Sequence, residues 1–216
     1  MVMYRKSGLL LLILLIVASL ALAACGGSDS KNEISQDEAG GSADTSLPQI
    51  FVSANGVTLR YPQGWVARDL VEGPLVYAVV ANSQAVLDDL ESDAPVQMPA
   101  GGFLLTIYTV SWVDLAAALG VSSSALEDMD IKAWMEAFYP PGFGYGEVET
   151  VTIGAIQAAR SNGQISDGND GFTLAYKLDN ISAIWISVLT HEGELAGFEG
   201  IAYEIIESIT YDAPAG

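Results

Sequence analysis

Cysteine and histidine each occur once in 216 residues, and Lys and Arg together number 8 against 27 Asp and Glu. A single thiol excludes a disulfide framework and a cysteine-built zinc site. A single imidazole leaves little for histidine chemistry. A Ser-His-Asp system would need a serine and a carboxylate to converge on His191, and the chain contains no G-x-S-x-G. His191 follows an apolar stretch and precedes Glu192-Gly193, so it reads as part of an exposed turn. The shortage of cations, with a formal charge of −19, excludes a general nucleic-acid binder, because neutralising phosphates takes clustered Lys and Arg. Apolar residues, by contrast, make up 50% of the chain and charged ones 16%, which excludes a disordered or collagen-like polymer.

The apolar residues are concentrated at the front. Arg5 and Lys6 precede Leu9 to Ala24, an almost wholly apolar run, and the first acid is Asp29. A positive segment followed by such a run is the layout of a secretory signal. The run of 16 residues falls short of the roughly 20 that span a hydrocarbon core, which argues against a transmembrane helix. It ends in Leu22-Ala23-Ala24-Cys25, which resembles the bacterial lipobox. That resemblance implies diacylglyceryl transfer to Cys25, cleavage of residues 1–24, and Cys25 as the first residue of the mature chain. Two acyl chains pass the threshold for stable anchoring, at about 0.8 kcal/mol per buried CH₂. Losing Arg5 and Lys6 with the leader would take the formal charge from −19 to −21.

Residues 25–46 read as a tether. Gly26 to Ser46 (GGSDSKNEISQDEAGGSADTS) holds one isoleucine and no aromatic residue. It cannot bury enough apolar surface to offset its ordering entropy, and as a flexible chain it would span on the order of 25 Å. Residues 47–213 read as one globular domain, long enough to bury close to 70% of its unfolded surface.

Within that domain, Val57 to Tyr61 alternates apolar and polar, as a half-buried strand does, and Pro62 and Gly64 stop it. Leu75 to Ala81 and Phe103 to Val110 read as buried strands, with a short helix over Gln84 to Leu90 between them. Ser124 to Glu127 has capping-box spacing. Ile131, Trp134, Met135 and Phe138 then mark one apolar helical face, which Pro140-Pro141 must end at Tyr139. Strands are expected over Val148–Ile153, Ile156–Ile165, Phe172–Leu178 and Ile181–Thr190, with a turn at Asp167–Gly171. A final helix from about Glu194 to Ile209 would bury Leu195, Phe198, Ala202, Ile205 and Ile209. Its acids Glu194, Glu199, Glu204 and Glu207 would point largely away. Short connections in the second half of the domain require antiparallel pairing, so the expected class is α+β, a mostly antiparallel sheet with helices packed on it.

Asn55 to Trp65 (NGVTLRYPQGW) resembles the opening of the PsbP-like superfamily, a strand ending in Tyr-Pro followed by a small turn and Gly-Trp. Val151-Thr152-Ile153-Gly154 with Ala158-Ala159-Arg160 resembles a later strand of that family, and Tyr203 to Ile209 its closing helix. The resemblance implies an α/β/α sandwich and a secreted or lipidated accessory module, and it supplies no catalytic residue. Tyr61, Pro62 and Trp65 themselves read as fold residues: a strand-closing ring, a turn-forcing proline and a large ring over the core edge.

The remaining candidates for chemistry are few. Asp167-Gly168-Asn169-Asp170-Gly171 invites a calcium-loop reading, but positions five and twelve of such a loop would be Gly171 and Leu178, which carry no oxygen ligand. Gly142-Phe143-Gly144 precedes a strand rather than a phosphate-binding helix, so it is no dinucleotide fingerprint. Tyr139, Phe143 and Tyr145 sit on a Pro/Gly frame and form a candidate recognition loop, since rigid rings contact a partner at little entropic cost. The competing use of these rings is packing under the sheet. No catalytic residue, metal ligand or cofactor site is singled out. The expectation is a monomeric, non-catalytic lipoprotein on the extracytoplasmic side of a membrane, inner or outer, meeting a protein partner in the envelope and no nucleic acid. An envelope hydrolase using acidic pairs and a small-molecule or ion-binding sensor are the alternatives.

Overall fold

A computed structural model describes residues 47–213, apart from 73–74, 91–95, 112, 114–115, 118–121, 123, 125–128, 139–144, 167–168 and 179–181. Leu47–Gly216 form one compact unit. Its centre is a seven-stranded sheet of β3 (Val66–Glu72), β4 (Leu75–Ala81), β5 (Phe103–Ser111), β6 (Tyr145–Ile153), β7 (Ile156–Ser166), β8 (Asn169–Lys177) and β9 (Ser182–His191). The spatial order is β3-β4-β5-β9-β8-β7-β6, and every pairing is antiparallel. A second sheet of β1 (Gln49–Val52), β2 (Val57–Tyr61) and β10 (Thr210–Tyr211) has β2 in the middle. Helices bounded within the described residues are α1 (Gln84–Leu90), α2 (Ile131–Phe138) and α3 (Leu195–Glu207).

Residue alternation explains the layers. Along β5, Phe103, Leu105 and Ile107 face a core shared with Leu174 and Ile186, with Ala202, Ile205 and Ile206 of α3, and with Val57 and Leu59 of the small sheet. The even positions face the other way. Leu104 joins Val86 and Leu87 of α1, and Tyr108 and Val110 join Trp134 and Met135 of α2. The period of two thus sends one face of the sheet to α3 and the small sheet and the other to α1 and α2. The class is α+β, as the sequence led us to expect, with the sheet sandwiched between helical layers.

The α2 face shows how composition sets packing. Trp134 and Trp185 meet edge to face with ring centroids 5.2 Å apart. Beneath them lie Ala159, Ala175 and Ala183, all fully buried, and Ala159 pairs directly with Ala175 across the sheet. Small residues on the strands leave the room that two indoles need. Trp65 is half-buried and packs on Phe103 with centroids 4.9 Å apart, in keeping with its reading as a fold residue.

Several local expectations need correction. The edge strands β1 and β3 and the two-residue β10 are additional to those anticipated. Two polar side chains of β3 make bonds that hold it in place. The Asp69 carboxylate accepts from Ser53 Oγ and from the Ala54 N–H at 2.9 Å, and Arg68 donates to the Leu87 carbonyl at 3.0 Å. The described start of α2 is capped by Asp130, whose Oδ1 accepts the Ala133 N–H at 2.7 Å. Residues 125–128 of the expected capping box and Tyr139 at the expected helix end lie outside the described residues. In the Asp167–Gly171 turn, Asn169 already belongs to β8 and is fully buried. Its amide bridges the Met98 N–H and the Val96 carbonyl, both at 2.7 Å, and so fastens the segment before β5 to the sheet. Glu199 does not simply point away: it pairs with a buried arginine of β7.

Candidate functional site

Arg160 is that arginine, and it is only 8% exposed. It lies on the same face of β7 as Ala158, under α3. A cation here costs several kcal/mol in lost hydration unless it is paired and hydrogen-bonded. Four neighbours supply that compensation. Nη1 donates to the Glu199 carboxylate and the Tyr203 hydroxyl, and Nε donates to Asn162 Oδ1 at 2.8 Å. The guanidinium also sits 4.4 Å from the Phe172 ring centroid and 5.5 Å from that of Tyr203. Glu199 and Tyr203 are four residues apart and so share one side of α3. Burial pushes the Tyr203 phenol above its ordinary range, and Arg160 opposes part of that rise. The group therefore pins α3 to the sheet. Arg160 Nη1 and Nε, Glu199 Oε1, the Tyr203 hydroxyl and Asn162 Oδ1 are engaged with one another, so the group acts as a structural clamp.

A surface cleft of about 620 Å³ opens elsewhere, where α2 begins beside the β6–β7 turn and the end of β8. Ile131, Ala155, Ile156 and Leu178 give it an apolar lining, and Asp130, Gln157, Tyr176 and Lys177 add polar groups. Asp130 already caps α2 through Oδ1, and Gln157 donates to Thr152 Oγ1 at 2.8 Å. Tyr176 is 5% exposed, and burial raises the pKa of its phenol, which keeps it neutral. Its hydroxyl has no hydrogen-bond partner among the described residues. The groove is broad and open to solvent, apolar with one acid, one amine and one phenol among its lining residues.

The residues singled out from the sequence are placed as follows. Cys25, Tyr139 and Phe143 lie outside the described residues, and Tyr145 opens β6 with its ring outside them. His191 is the last residue of β9 and half-buried, and its Nδ1 lies 3.0 Å from the neighbouring Glu192 carbonyl. Among the described residues no group of three or more His, Cys, Asp or Glu side chains could hold a metal ion. Among them, too, no helix is long and apolar enough to cross a membrane. The clamp and the cleft escaped sequence reasoning. A lone arginine following two alanines in an otherwise uncharged strand (IQAARSNGQIS) is the one signal that could have pointed to the clamp.

No family model matches the chain, and no curated protein does. Solved structures similar to it include the following two. One is the solution structure of cyanobacterial PsbP (CyanoP) from Synechocystis sp. PCC 6803, at 13% identity and a TM-score of 0.42, covering 88% of this chain and 99% of that one. The other is LpqN of Mycobacterium tuberculosis, described as involved in cell envelope biogenesis, at 15% identity and a TM-score of 0.33, covering 71% of this chain and 82% of that one. Neither likeness assigns this chain a ligand, a partner or a reaction.

Proposed function

We propose that the protein is an extracytoplasmic lipoprotein, held to the membrane through acylated Cys25, whose single α+β domain acts as a non-catalytic binding or accessory module. The observation that carries this reading is the order of Arg5-Lys6, an apolar run, Leu22-Ala23-Ala24-Cys25 and a polar Gly/Ser/acid stretch ahead of one folded unit. Acylation fixes the body to the bilayer, the 21 residues Gly26 to Ser46 give it reach, and the acidic surface keeps it soluble and monomeric. The recognition element in this reading is the loop bearing Tyr139, Phe143 and Tyr145, which offers rigid rings to a protein of the envelope.

Two comparisons test it. Wild-type chain should sediment with membranes and Cys25→Ser should not. Cross-linking on intact cells should capture a defined envelope partner with wild type, and a variant with Tyr139, Phe143 and Tyr145 all changed to Ala should lose it. Equal sedimentation of both chains contradicts the anchor, and capture unaffected by the triple change contradicts the loop. The cleft favours a second reading, a small-molecule sensor. That reading requires a ligand-dependent rise in Tm that Lys177→Ala or Tyr176→Phe diminishes.

A further inference from the structure

Cross-strand partners in an antiparallel pair project to the same side. Ile50 opposes Arg60, Val52 opposes Thr58, and Thr58 opposes Thr210, so these five residues form the outward face of the β1-β2-β10 sheet. The inward face, with Phe51, Val57, Leu59, Tyr61 and Tyr211, packs on the core. Outside, Ile50 is 57% and Val52 69% exposed, two of the four large exposed hydrophobics identified among the described residues. No acid stands among the five, although the chain has 27 acids. The one charged member, Arg60, is exposed and makes no ion pair among the described residues. Only one long edge of β1 is paired.

We infer that this face is the one the domain lays against the lipid surface, with Ile50 and Val52 entering the headgroup boundary and Arg60 contacting anionic headgroups. The inference rests on the acyl anchor at Cys25. The length and exit point of the chain outside the described residues argue for a bilayer as the occupant. Residues 25–46 separate the anchor from Leu47, two positions before β1, so this strand is the described element nearest the anchor along the chain. A contact too weak to hold a free protein is sufficient here, because a short tether makes it intramolecular. Charge acts in the same direction. The mature chain, with 6 basic and 27 acidic residues and a formal charge of −21, is repelled from anionic lipid over most of its surface, which favours the acid-free, cation-bearing face as the point of approach.

The test uses the acylated full-length mature chain in vesicles of phosphatidylcholine and phosphatidylglycerol. Val52→Cys is labelled with an environment-sensitive fluorophore and challenged with a lipid-borne quencher. Glu136→Cys on α2, against the opposite face of the large sheet, serves as the control. The expected result is several-fold stronger quenching at position 52 than at 136. It should fall to the control level when Ile50→Ser and Arg60→Ser are added, with flotation of the chain unchanged. A chain that floats but is quenched alike at both positions overturns the inference and leaves the anchor standing. Shielding of position 52 from aqueous iodide without lipid quenching also overturns it, in favour of β1 pairing with β1 of a second copy. A chain that does not float overturns the anchor reading, and this inference with it.

Discussion

Arg160 is the residue whose removal tells most about how the core is held. Arg160→Ala deletes the cation and strands Glu199 beside a half-buried phenol, and losing one partner of such a pair costs about 3–5 kcal/mol in the buried limit. Glu199 is 35% exposed on its side chain, so the effect belongs near the lower end of that range. Arg160→Met, which keeps the stacking on Phe172 without a charge, together with Glu199→Gln, should recover most of the loss in urea titrations. A double variant as unstable as Arg160→Ala would contradict the clamp. In the sequence Arg160 stands out only as part of a short family-like string, and Glu199 falls on the solvent face of its helix. A helical wheel places Glu199 beside Phe198 and Tyr203, but it cannot register that a strand 39 positions earlier brings a cation under them.

The tyrosines set an alkaline limit. Tyr176 and Tyr203 both titrate above the ordinary 10.0, chiefly because burial disfavours the phenolate. Below the unfolded value both states hold the proton, and the stabilisation from the buried neutral rings is fully present. As pH rises past that value the unfolded chain loses its proton first, so stability falls until the folded groups titrate as well. Tm should therefore decline above about pH 10, where unfolded tyrosine begins to ionise. Tyr176→Phe should flatten that decline. A wild-type Tm unchanged through that range would contradict the burial of both phenols.

At the scale of elements, α2 was legible on its buried side. The spacing of Ile131, Trp134 and Met135 placed them on one face, and Trp134 and Met135 are fully buried. Trp134→Ala should cost about 3–5 kcal/mol, the range for removing a large core aromatic, read from the shift in denaturation midpoint. Asp130→Ala should cost about 1 kcal/mol through loss of the cap. Losses in the reverse order would mean that the cap, not the indole, secures the helix. The edge strands were not legible for a physical reason. β3 reads Val-Ala-Arg-Asp-Leu-Val-Glu, with two adjacent charges that break the alternation, and each makes a hydrogen bond to a residue distant in sequence. β10 has only two residues and exists because β2 is there to receive them. The central strands stood out because burial on both faces makes near-continuous apolar runs such as Phe103 to Ile107.

For the whole molecule, sequence and structure inform different parts of the account. The α+β architecture follows from the alternation and short turns of residues 47–213. The proposed address rests on residues 1–25, through charge, hydropathy and one thiol. The candidate recognition rings could be named from the sequence but not located, since Tyr139 and Phe143 lie outside the described residues. The cleft could be located but not named, because its lining comes from three separate stretches of chain. In the proposed anchored form, high negative charge predicts that the body stays dispersed at low salt. It also predicts that added salt weakens its repulsion from anionic vesicles, measurable as closer approach of the domain to the lipid.

Intact-mass spectrometry of the protein extracted from native membranes tests the central claim most directly. A chain beginning at Cys25, with the mass of a diacylglyceryl thioether on that residue, is the result predicted here. A chain that keeps residues 1–24, or carries an unmodified Cys25, would contradict the account.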